Sequence, residues 1–321
     1  MSHQNFNPSS LQLFEHAWQA YRKLVDNDYM EHSALTTAIA LILPTLLPSP
    51  CPVTGKKEAW MADLGCGDLG LLAPMLRPLP LAGFIGVDAT AEVLPLAARR
   101  LNARAESLQA RPPWPCEWVC ADLLEWSEKR RDVMRGISGG VGDAQGRVSF
   151  FLSKEEDGRT GHRHVEGKAE GRETVAEEDG CTVRKDAGGG CSGLPLSPVP
   201  RYLNVVSSLF ALHHLSDSGK QRALTALRAC VAPGGSMLVA DIFRQDGEER
   251  ELYLERYEAR SREWTALTEE ERELITEHVR SSDFPSERSA FERMAKEAGW
   301  AGVRWLWEAS HAAEALVLLQ C

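Results

Sequence analysis

A glycine-rich turn that closes a short apolar run constrains the fold of this 321-residue chain more than any other feature of its sequence. The run AWMADLG leads into Gly65, Gly67 and Gly70, which are spaced as G-x-G-x-x-G. Glycines at this spacing let the backbone turn sharply from a strand into a helix and come close to a ligand. An acid, Asp88, follows about twenty residues later, as in dinucleotide-binding βαβ units. The turn therefore predicts an α/β sheet with a nucleotide-like ligand at one edge.

The acid Asp63, two residues before the first glycine, bears on which ligand this is. A dinucleotide places two phosphates at such a turn, and a carboxylate beside them would repel them. A ligand that has an ammonium group and no phosphate suits the same carboxylate. S-adenosylmethionine is such a ligand, because it carries a sulfonium, an amino acid and an adenosine. The glycine spacing alone leaves an NAD(P)-dependent oxidoreductase open as an alternative.

The order of the apolar segments predicts a doubly wound sheet. The runs AWMADLG, GFIGVDAT and CEWVCADLLEW alternate with helical stretches, which is typical of a parallel βαβαβ unit with right-handed crossovers. Two more strands are predicted in RYLNVVSSLFALHHL and SMLVADIF, on either side of a helix that Asp217 or Ser218 would cap. The last runs, GVRWLWEAS and ALVLLQC, are too close together for a crossover helix and predict a hairpin. We expect a Rossmann-like, mostly parallel, seven-stranded sheet with an antiparallel last strand, in three α/β/α layers.

Three segments predict additions to this core. Residues 1–57 are expected to form an N-terminal helical cap ahead of the α/β domain of residues 58–321. Glycine, charge and proline dominate residues 128–200, which cannot bury enough apolar surface to offset the entropy of ordering, so we expect a disordered insertion there. The charged, amphipathic stretch at about 248–285 predicts a helical lid over the carboxyl ends of the strands, where ligands bind in open α/β sheets.

Composition argues against several classes of partner. The net charge is −10 without a basic stripe, so we expect no nucleic-acid partner. The run ALTTAIALILPTLLP is short and broken by Pro44, so we expect no membrane span. The eight cysteines follow no disulfide or metal-ligand spacing, and we expect no metal site. The first residues lack a basic segment leading into an apolar one, so the cytoplasm is the expected compartment.

Five motifs in order resemble those of the class I S-adenosylmethionine-dependent methyltransferases. ADLGCGDLG is similar to the first motif of that family, GVDAT to the second and CADLLEW to the third. VVSSLFALHHL resembles the loop after the fourth strand, and VAPGG resembles the turn before the fifth. The resemblance covers residues 60–125 and 201–244 together with the final hairpin. One departure is Leu69, where the family often has a glycine.

The resemblance implies S-adenosylmethionine as the methyl donor and S-adenosylhomocysteine as the product. It implies that Asp63 faces the methionine part, that Asp88 holds the ribose and that Asp122 frames the adenine. The full set of implied donor-binding residues is Asp63, Gly65, Cys66, Gly67, Asp88, Ala89, Ala121, Asp122, Leu123, Ser207, Ser208 and Leu209. Capping of the following helix is the alternative role of Asp63 and Asp122. Cys66 is expected to be a packed residue and not a nucleophile.

The loop after the fourth strand bears on the methyl acceptor. SSLFALHHL has neither the Asn/Asp-Pro-Pro-aromatic tetrad of enzymes that methylate base amines nor the Pro-Cys pair of cytosine-C5 enzymes. We expect a small organic acceptor, with His32 and His213 as candidate general bases for a hydroxyl group. The candidate acceptor-binding residues are Tyr29, His214, Phe243, Tyr253, Tyr257 and Trp264. Two alternatives stay open: the lid aromatics are core residues of a cap, or the chain is a non-catalytic partner subunit that keeps a nucleoside pocket.

Overall fold

The computed structural model of the chain describes residues 19–49, 59–102, 114–138, 182–183 and 200–321. The strands are β1 (Ala59–Leu64), β2 (Leu81–Asp88), β3 (Cys116–Cys120), β4 (Thr182–Val183), β5 (Leu203–Leu209), β6 (Val231–Ile242), β7 (Gly302–Glu308) and β8 (Glu314–Gln320). The helices are α1 (described over 19–26), α2 (His32–Ile42), α3 (Ala73–Leu76), α4 (Leu94–Asn102), α5 (Leu123–Ser138), α6 (Asp217–Cys230), α7 (Arg250–Ser261), α8 (Glu269–Ser282) and α9 (Arg288–Glu297). Short 3-10 helices span Leu43–Leu46 and Leu212–His214.

The strands form one sheet in the order β4-β3-β2-β1-β5-β6-β8-β7. Neighbouring pairs from β4 to β6 are parallel, and β8 is antiparallel to both β6 and β7. The predicted seven-stranded sheet with an antiparallel last strand is confirmed, and β4 adds a two-residue edge strand to it. The chain steps from β1 outward to β2 and β3 on one side and continues with β5 and β6 on the other. Ligands of open α/β sheets bind at the carboxyl ends of the strands where the order reverses in this way, here between β1 and β5.

Helices cover both faces of the sheet, which confirms the three-layer arrangement. Helices α2, α3 and α4 cover one face, where Leu35 and Ile39 share an apolar cluster with Met61 and Phe84 of β1 and β2. Helices α5, α6 and α9 cover the other face through a second apolar cluster. The central strands are apolar and buried over nearly their whole length, as parallel strands with two covered faces should be. Within the described residues, no helix combines the length and the apolar character that crossing a bilayer requires.

The N-terminal helices and the helices after β6 share a third apolar cluster. Leu24 and Met30 from the N-terminal segment pack there with Tyr253, Tyr257 and Trp264 from the segment after β6. The predicted cap and the predicted lid therefore pack against each other. Their roles as cap and lid stay predictions.

The prediction for the chain just after β3 is wrong in one respect. This stretch is not a loop that leads into an insertion at residue 128, because α5 begins at Leu123 and continues to Ser138. Beyond α5, the structure describes only β4 and Pro200 of the predicted insertion. The other residues of the insertion lie outside the described residues.

The predicted cap of α6 is also wrong. The hydroxyl of Ser216 accepts the N–H of Gly219 at 3.3 Å, and the helix starts at Asp217, earlier than predicted. Serine is among the favoured N-cap residues because its oxygen satisfies an N–H of the first turn.

Candidate functional site

The carboxyl ends of β1 and β5 bring together two of the predicted donor-binding residues. Asp63 and Ser207 are paired in register, and the hydroxyl of Ser207 donates to Oδ1 of Asp63 at 2.5 Å. Asp63 is only 2% exposed. Burial raises the pKa of its carboxyl to about 7, while the hydrogen bond from Ser207 lowers it and the charge of Asp88 adds to the rise. A carboxyl group held in this way is half-neutral near physiological pH and gains from a nearby cation.

The glycine turn after β1 is shaped by two residues with positive φ. Gly65 has φ +68°, and a Cβ placed on it would lie 2.3 Å from the Cβ of Ala211 in the loop after β5. Gly67 has φ +51°, and a Cβ there would meet no atom of the described residues within 4 Å. Gly65 thus lets two loops touch, and Gly67 borders open space at the tip of the turn.

Leu69, where the family often has a glycine, has a left-handed backbone conformation. Its φ is +57° and its side chain is buried. Left-handed backbone costs a non-glycine residue about 1–2 kcal/mol, which burial of the leucine offsets. Leucine at this position is therefore compatible with a left-handed backbone in the turn.

Asp88, at the end of β2, ties the glycine turn in place. Its Oδ2 accepts the N–H of Gly67 at 2.8 Å, and its Oδ1 accepts the N–H of Thr90 at 2.8 Å. Each carboxylate oxygen has a second lone pair, so both can still accept a hydroxyl hydrogen.

Cys66 packs beneath the turn as expected of a small buried residue. Its N–H donates to the carbonyl of Val87 at 2.9 Å, and the residue is 6% exposed. Burial is the largest of the effects that raise the pKa of the Cys66 thiol well above its ordinary value. A thiol that stays protonated is a poor nucleophile.

Asp122 caps a helix, the alternative role that its position allowed. Its Oδ1 accepts the N–H groups of Leu124 and Glu125 at 2.9 and 3.0 Å, at the start of α5. The side chain is exposed, and its Oδ2 remains available to a ligand amine. The loops that carry the adenine candidates lie side by side, because the N–H of Ala121 donates to the carbonyl of Asp88 at 2.9 Å.

The remaining donor-binding candidates lie at the same edge of the sheet. Ala89 follows Asp88, Leu123 begins α5, and the hydroxyl of Ser208 donates to the carbonyl of Leu64 at 3.2 Å. Leu209 ends β5.

Four of the acceptor-binding candidates are packed in the third apolar cluster. The ring of Trp264 stacks on Tyr29 at a centroid distance of 5.7 Å and meets Tyr257 edge-on at 5.5 Å. The Tyr29 hydroxyl accepts the N–H of Ala266 at 2.8 Å. Tyr253 differs, because its hydroxyl is buried and has no hydrogen-bond partner among the described residues.

Phe243 lies elsewhere, with the helices on the opposite face of the sheet from α2. Its ring packs edge-on against Phe291 and Trp305, at centroid distances of 5.2 and 4.9 Å. The structure does not bring it to the other acceptor candidates.

His32, one of the two candidate bases, lies between the N-terminal helices and the loop after β5. Its ring is 5.4 Å from that of Phe210 and 6.5 Å from that of Tyr21. Neither ring nitrogen has a hydrogen-bond partner among the described residues. Burial lowers the pKa of this imidazole below its ordinary value, so it stays neutral at pH 7.

Two residues of this environment were not predicted from the sequence. Burial raises the pKa of Tyr21 to about 12, and the charge of Asp68, a residue of the glycine turn, adds to the rise. Phe210 has φ +54° and directly precedes Ala211, which touches Gly65. The only sequence signal for Tyr21 was its helical spacing, and Phe210 carried none.

The other candidate base, His213, lies in a separate polar cluster. Its Nδ1 is 2.5 Å from Oδ1 of Asp241, and its backbone N–H donates to Oδ2 of the same aspartate at 3.1 Å. Its neighbours on the other side are His214 and Asp283. Neither aspartate was predicted as a site residue, because both are far from the glycine motifs in sequence.

Comparison with known proteins gives a distant relative and weak structural likenesses. No family model matches the chain. An uncharacterized methyltransferase of Geobacillus kaustophilus is 29% identical over 164 residues, which are 47% of this chain and 74% of that protein. The plantazolicin methyltransferase BpumL, solved in complex with SAH, is 10% identical with a TM-score of 0.48, covering 98% of this chain and 91% of that chain. The YcgJ protein from Bacillus subtilis is 12% identical with a TM-score of 0.43, covering 88% and 96%.

Both TM-scores are below 0.5, so the strand order and not the superpositions assigns the fold. The sheet is parallel except for β8, a glycine turn follows β1, and an acid ends β2. This is the class I methyltransferase arrangement. The chain therefore has the class I S-adenosylmethionine-dependent methyltransferase fold, and the protein of Geobacillus kaustophilus is a distant methyltransferase relative of it.

Proposed function

We propose that the chain transfers a methyl group from S-adenosylmethionine to a small organic acceptor held between the N-terminal helices and the loop after β5. The observation that carries this proposal is that two buried polar side chains, His32 and Tyr253, have no hydrogen-bond partner among the described residues. A buried polar group without a hydrogen bond costs about 1–3 kcal/mol, so such groups call for a ligand or water partner. Tyr21 and Phe210 support it, because both rings lie beside His32 and Phe210 directly precedes Ala211, which touches Gly65.

The donor side of the proposal assigns a role to each acid at the strand ends. Asp63 would bind the ammonium group, Asp88 the ribose hydroxyls and Oδ2 of Asp122 the adenine amine. The residues fit such a molecule, because no described atom fills the space at Gly67 and the buried Asp63 carboxyl forms no salt bridge with a described side chain. S-adenosylmethionine supplies an electrophilic methyl carbon on a sulfonium, so the protein mainly has to orient the two reactants and exclude water.

His32 is the residue we assign as general base if the acceptor is a hydroxyl. A neutral imidazole with a free nitrogen can take the proton that a hydroxyl loses as it is methylated. An amine, thiol or carbanion acceptor would need no general base, only a site that orients it toward the methyl group.

Removing the unpartnered hydroxyl of Tyr253 should stabilise the protein. Tyr253→Phe is expected to raise the free energy of unfolding by about 1 kcal/mol, because a buried group that lacks a partner is lost while the ring stays packed. Tyr29→Phe is the matched control, and it should destabilise by a similar amount because its hydroxyl accepts the N–H of Ala266. Urea unfolding of both variants measures this. A destabilised Tyr253→Phe would show that the hydroxyl already has a partner.

Loss of the ribose acid should weaken donor binding. Asp88→Ala is expected to reduce affinity for S-adenosylhomocysteine by about 1.5–3 kcal/mol, the scale of hydrogen bonds to a charged group. Asp88→Asn keeps an acceptor for the N–H of Gly67 or Thr90 and should lose less. Isothermal titration calorimetry on folded variants gives both numbers. Unchanged affinity of the alanine variant would place the ribose elsewhere.

Turnover decides between the proposal and its alternatives. We expect the purified protein to transfer label from S-adenosylmethionine carrying a radioactive methyl group to at least one member of a library of small alcohols, phenols, amines and thiols. A chain that binds S-adenosylhomocysteine but labels no compound, protein or nucleic acid would be a non-catalytic subunit. Binding of NAD alone would favour an oxidoreductase.

A further inference from the structure

Three imidazoles converge on one buried carboxylate oxygen. Oδ1 of Asp283 lies 3.6 Å from Nε2 of His213, 3.3 Å from Nδ1 of His214 and 3.8 Å from Nε2 of His278. The Asp283 side chain is 5% exposed, and among the described residues no hydrogen bond of good geometry reaches this oxygen. Nδ1 of His214 also lies 3.2 Å from the carbonyl oxygen of Ser282, a contact that it would exchange for a metal ion. His213 and His214 come from the 3-10 turn after β5, whereas His278 and Asp283 come from α8 and the residue after it.

Asp241 fixes which nitrogen of His213 faces Asp283. A carboxylate only accepts hydrogen bonds, so the nitrogen 2.5 Å from Asp241 must carry a hydrogen. In the neutral ring the other nitrogen, Nε2, then presents a lone pair to Oδ1 of Asp283. Two acceptors that face each other at 3.6 Å are too far apart for a direct hydrogen bond and repel each other unless a cation lies between them.

The spacing suits a metal ion as that cation. Zinc binds histidine nitrogen at about 2.0–2.1 Å and carboxylate oxygen at about 2.0–2.2 Å, so neighbouring ligand atoms of a tetrahedral site are about 3.3–3.6 Å apart. The three distances to Asp283 run from 3.3 to 3.8 Å. Ligand atoms of His213, His214 and Asp283 lie within 4.8 Å of one another.

We propose that His213, His214 and Asp283 bind a divalent transition metal, with Zn²⁺ as the ion that this donor set favours and with His278 beside the site. A histidine whose second nitrogen donates to a carboxylate is the usual orientation for a metal ligand, and Asp241 provides that carboxylate. The site joins the turn after β5 to the carboxyl end of α8 and so ties the predicted lid to the sheet. As a metal ligand, His213 is not available as a general base. Metal binding at this site does not depend on methyl transfer.

Metal binding by the full-length protein tests this proposal without any substrate. Protein stripped with a chelator is titrated with Zn²⁺ by calorimetry, and its Co²⁺ form is inspected for the visible absorption of a tetrahedral site. We expect one equivalent per chain, and Zn²⁺ should raise the melting temperature of the wild-type protein. His214→Gln should weaken affinity at least tenfold, whereas His278→Gln, which removes a neighbour of the site, should weaken it less. Both side chains are about half exposed, at 44% and 59%, so these variants should fold.

Asp283→Asn should abolish the rise in melting temperature. The matched control replaces both His162 and His164, which stand outside the described residues, by glutamine. It should keep the stoichiometry and the affinity. The proposal is overturned if the wild-type protein takes up no zinc, as it would if a protonated His214 simply paired with Asp283. It is also overturned if His214→Gln and Asp283→Asn bind zinc as the wild type does.

Discussion

Gly67→Ala is expected to leave the protein folded and to weaken binding of S-adenosylhomocysteine by about ten- to a hundredfold, or about 1.4–2.8 kcal/mol. The added methyl group would meet no atom of the described residues within 4 Å, so it does not clash with the protein. It would instead occupy the open space at the tip of the turn, which we assign to the donor. The positive φ of Gly67 adds a strain of about 1–2 kcal/mol that lowers stability.

Gly234→Ala is the matched control for the effect of strain. Gly234 also has positive φ, +76°, and a Cβ there also meets no described atom within 4 Å. It lies near the start of β6, at the amino edge of the sheet, away from the carboxyl ends of the strands. Calorimetry and thermal melts of both variants should therefore show similar losses of stability and a loss of binding only in Gly67→Ala. Equal affinities would mean that the space above Gly67 is not the donor site.

Gly65→Ala cannot serve in this comparison. Its Cβ would lie 2.3 Å from the Cβ of Ala211, so the substitution would push apart the loops after β1 and β5 and disturb the protein itself.

Asp63 should make donor binding depend on pH near neutrality. The pKa of its carboxyl in the folded, ligand-free protein is about 7, and the cationic donor needs the ionised form. Affinity should be constant above about pH 7 and should fall toward tenfold per pH unit below it. Asp63→Asn should bind weakly at every pH and lose this dependence. Calorimetric titration of the wild type and the variant between about pH 5.5 and about pH 8.5 measures it.

The same group affects stability with the opposite sign. The pKa of Asp63 is higher in the folded protein than the unfolded value of about 3.9, so between about pH 4 and 7 the folded state binds more protons. The contribution of this group to the free energy of unfolding therefore falls as pH rises from about 4 to about 7, by up to about 4 kcal/mol, and is constant above. In Asp63→Asn this part of the slope should vanish.

Ser207→Ala tests the cause of these two effects. The Ser207 hydroxyl donates to the ionised carboxyl and lowers its pKa, so the variant should move both midpoints to higher pH. Ser208→Ala is the control, because that hydroxyl donates to the carbonyl of Leu64 instead. A pH profile that Ser207→Ala does not move would show that another group titrates.

The fold could be predicted because its signals are local. The strands around Asp63 and Asp88 are short apolar runs bounded by glycine, and the two last runs are too close for anything but a hairpin. The order of these elements along the chain then leaves few sheet topologies. The start of α5 was missed because the apolar pattern of CEWVCADLLEW does not show where the strand ends.

The acceptor side could not be predicted to the same depth because it depends on packing between distant segments. Tyr253 and Trp264 lie on one helical face in the sequence, yet only the structure shows that Trp264 is paired with Tyr29 while the hydroxyl of Tyr253 is unpartnered. Phe243 directly follows β6, and the face on which its ring packs is a property of the sheet. His213 and Asp283 are 70 positions apart, and no spacing rule joins them.

The central claim is that the edge of the sheet between β1 and β5 binds the donor through Asp63, Gly67 and Asp88. A crystal structure of the wild-type protein with S-adenosylhomocysteine tests it most directly. We predict the ribose hydroxyls within hydrogen-bond distance of Asp88, the amino group beside Asp63 and the ligand in the space above Gly67. A bound ligand at any other place, with that space holding only water, would contradict the account.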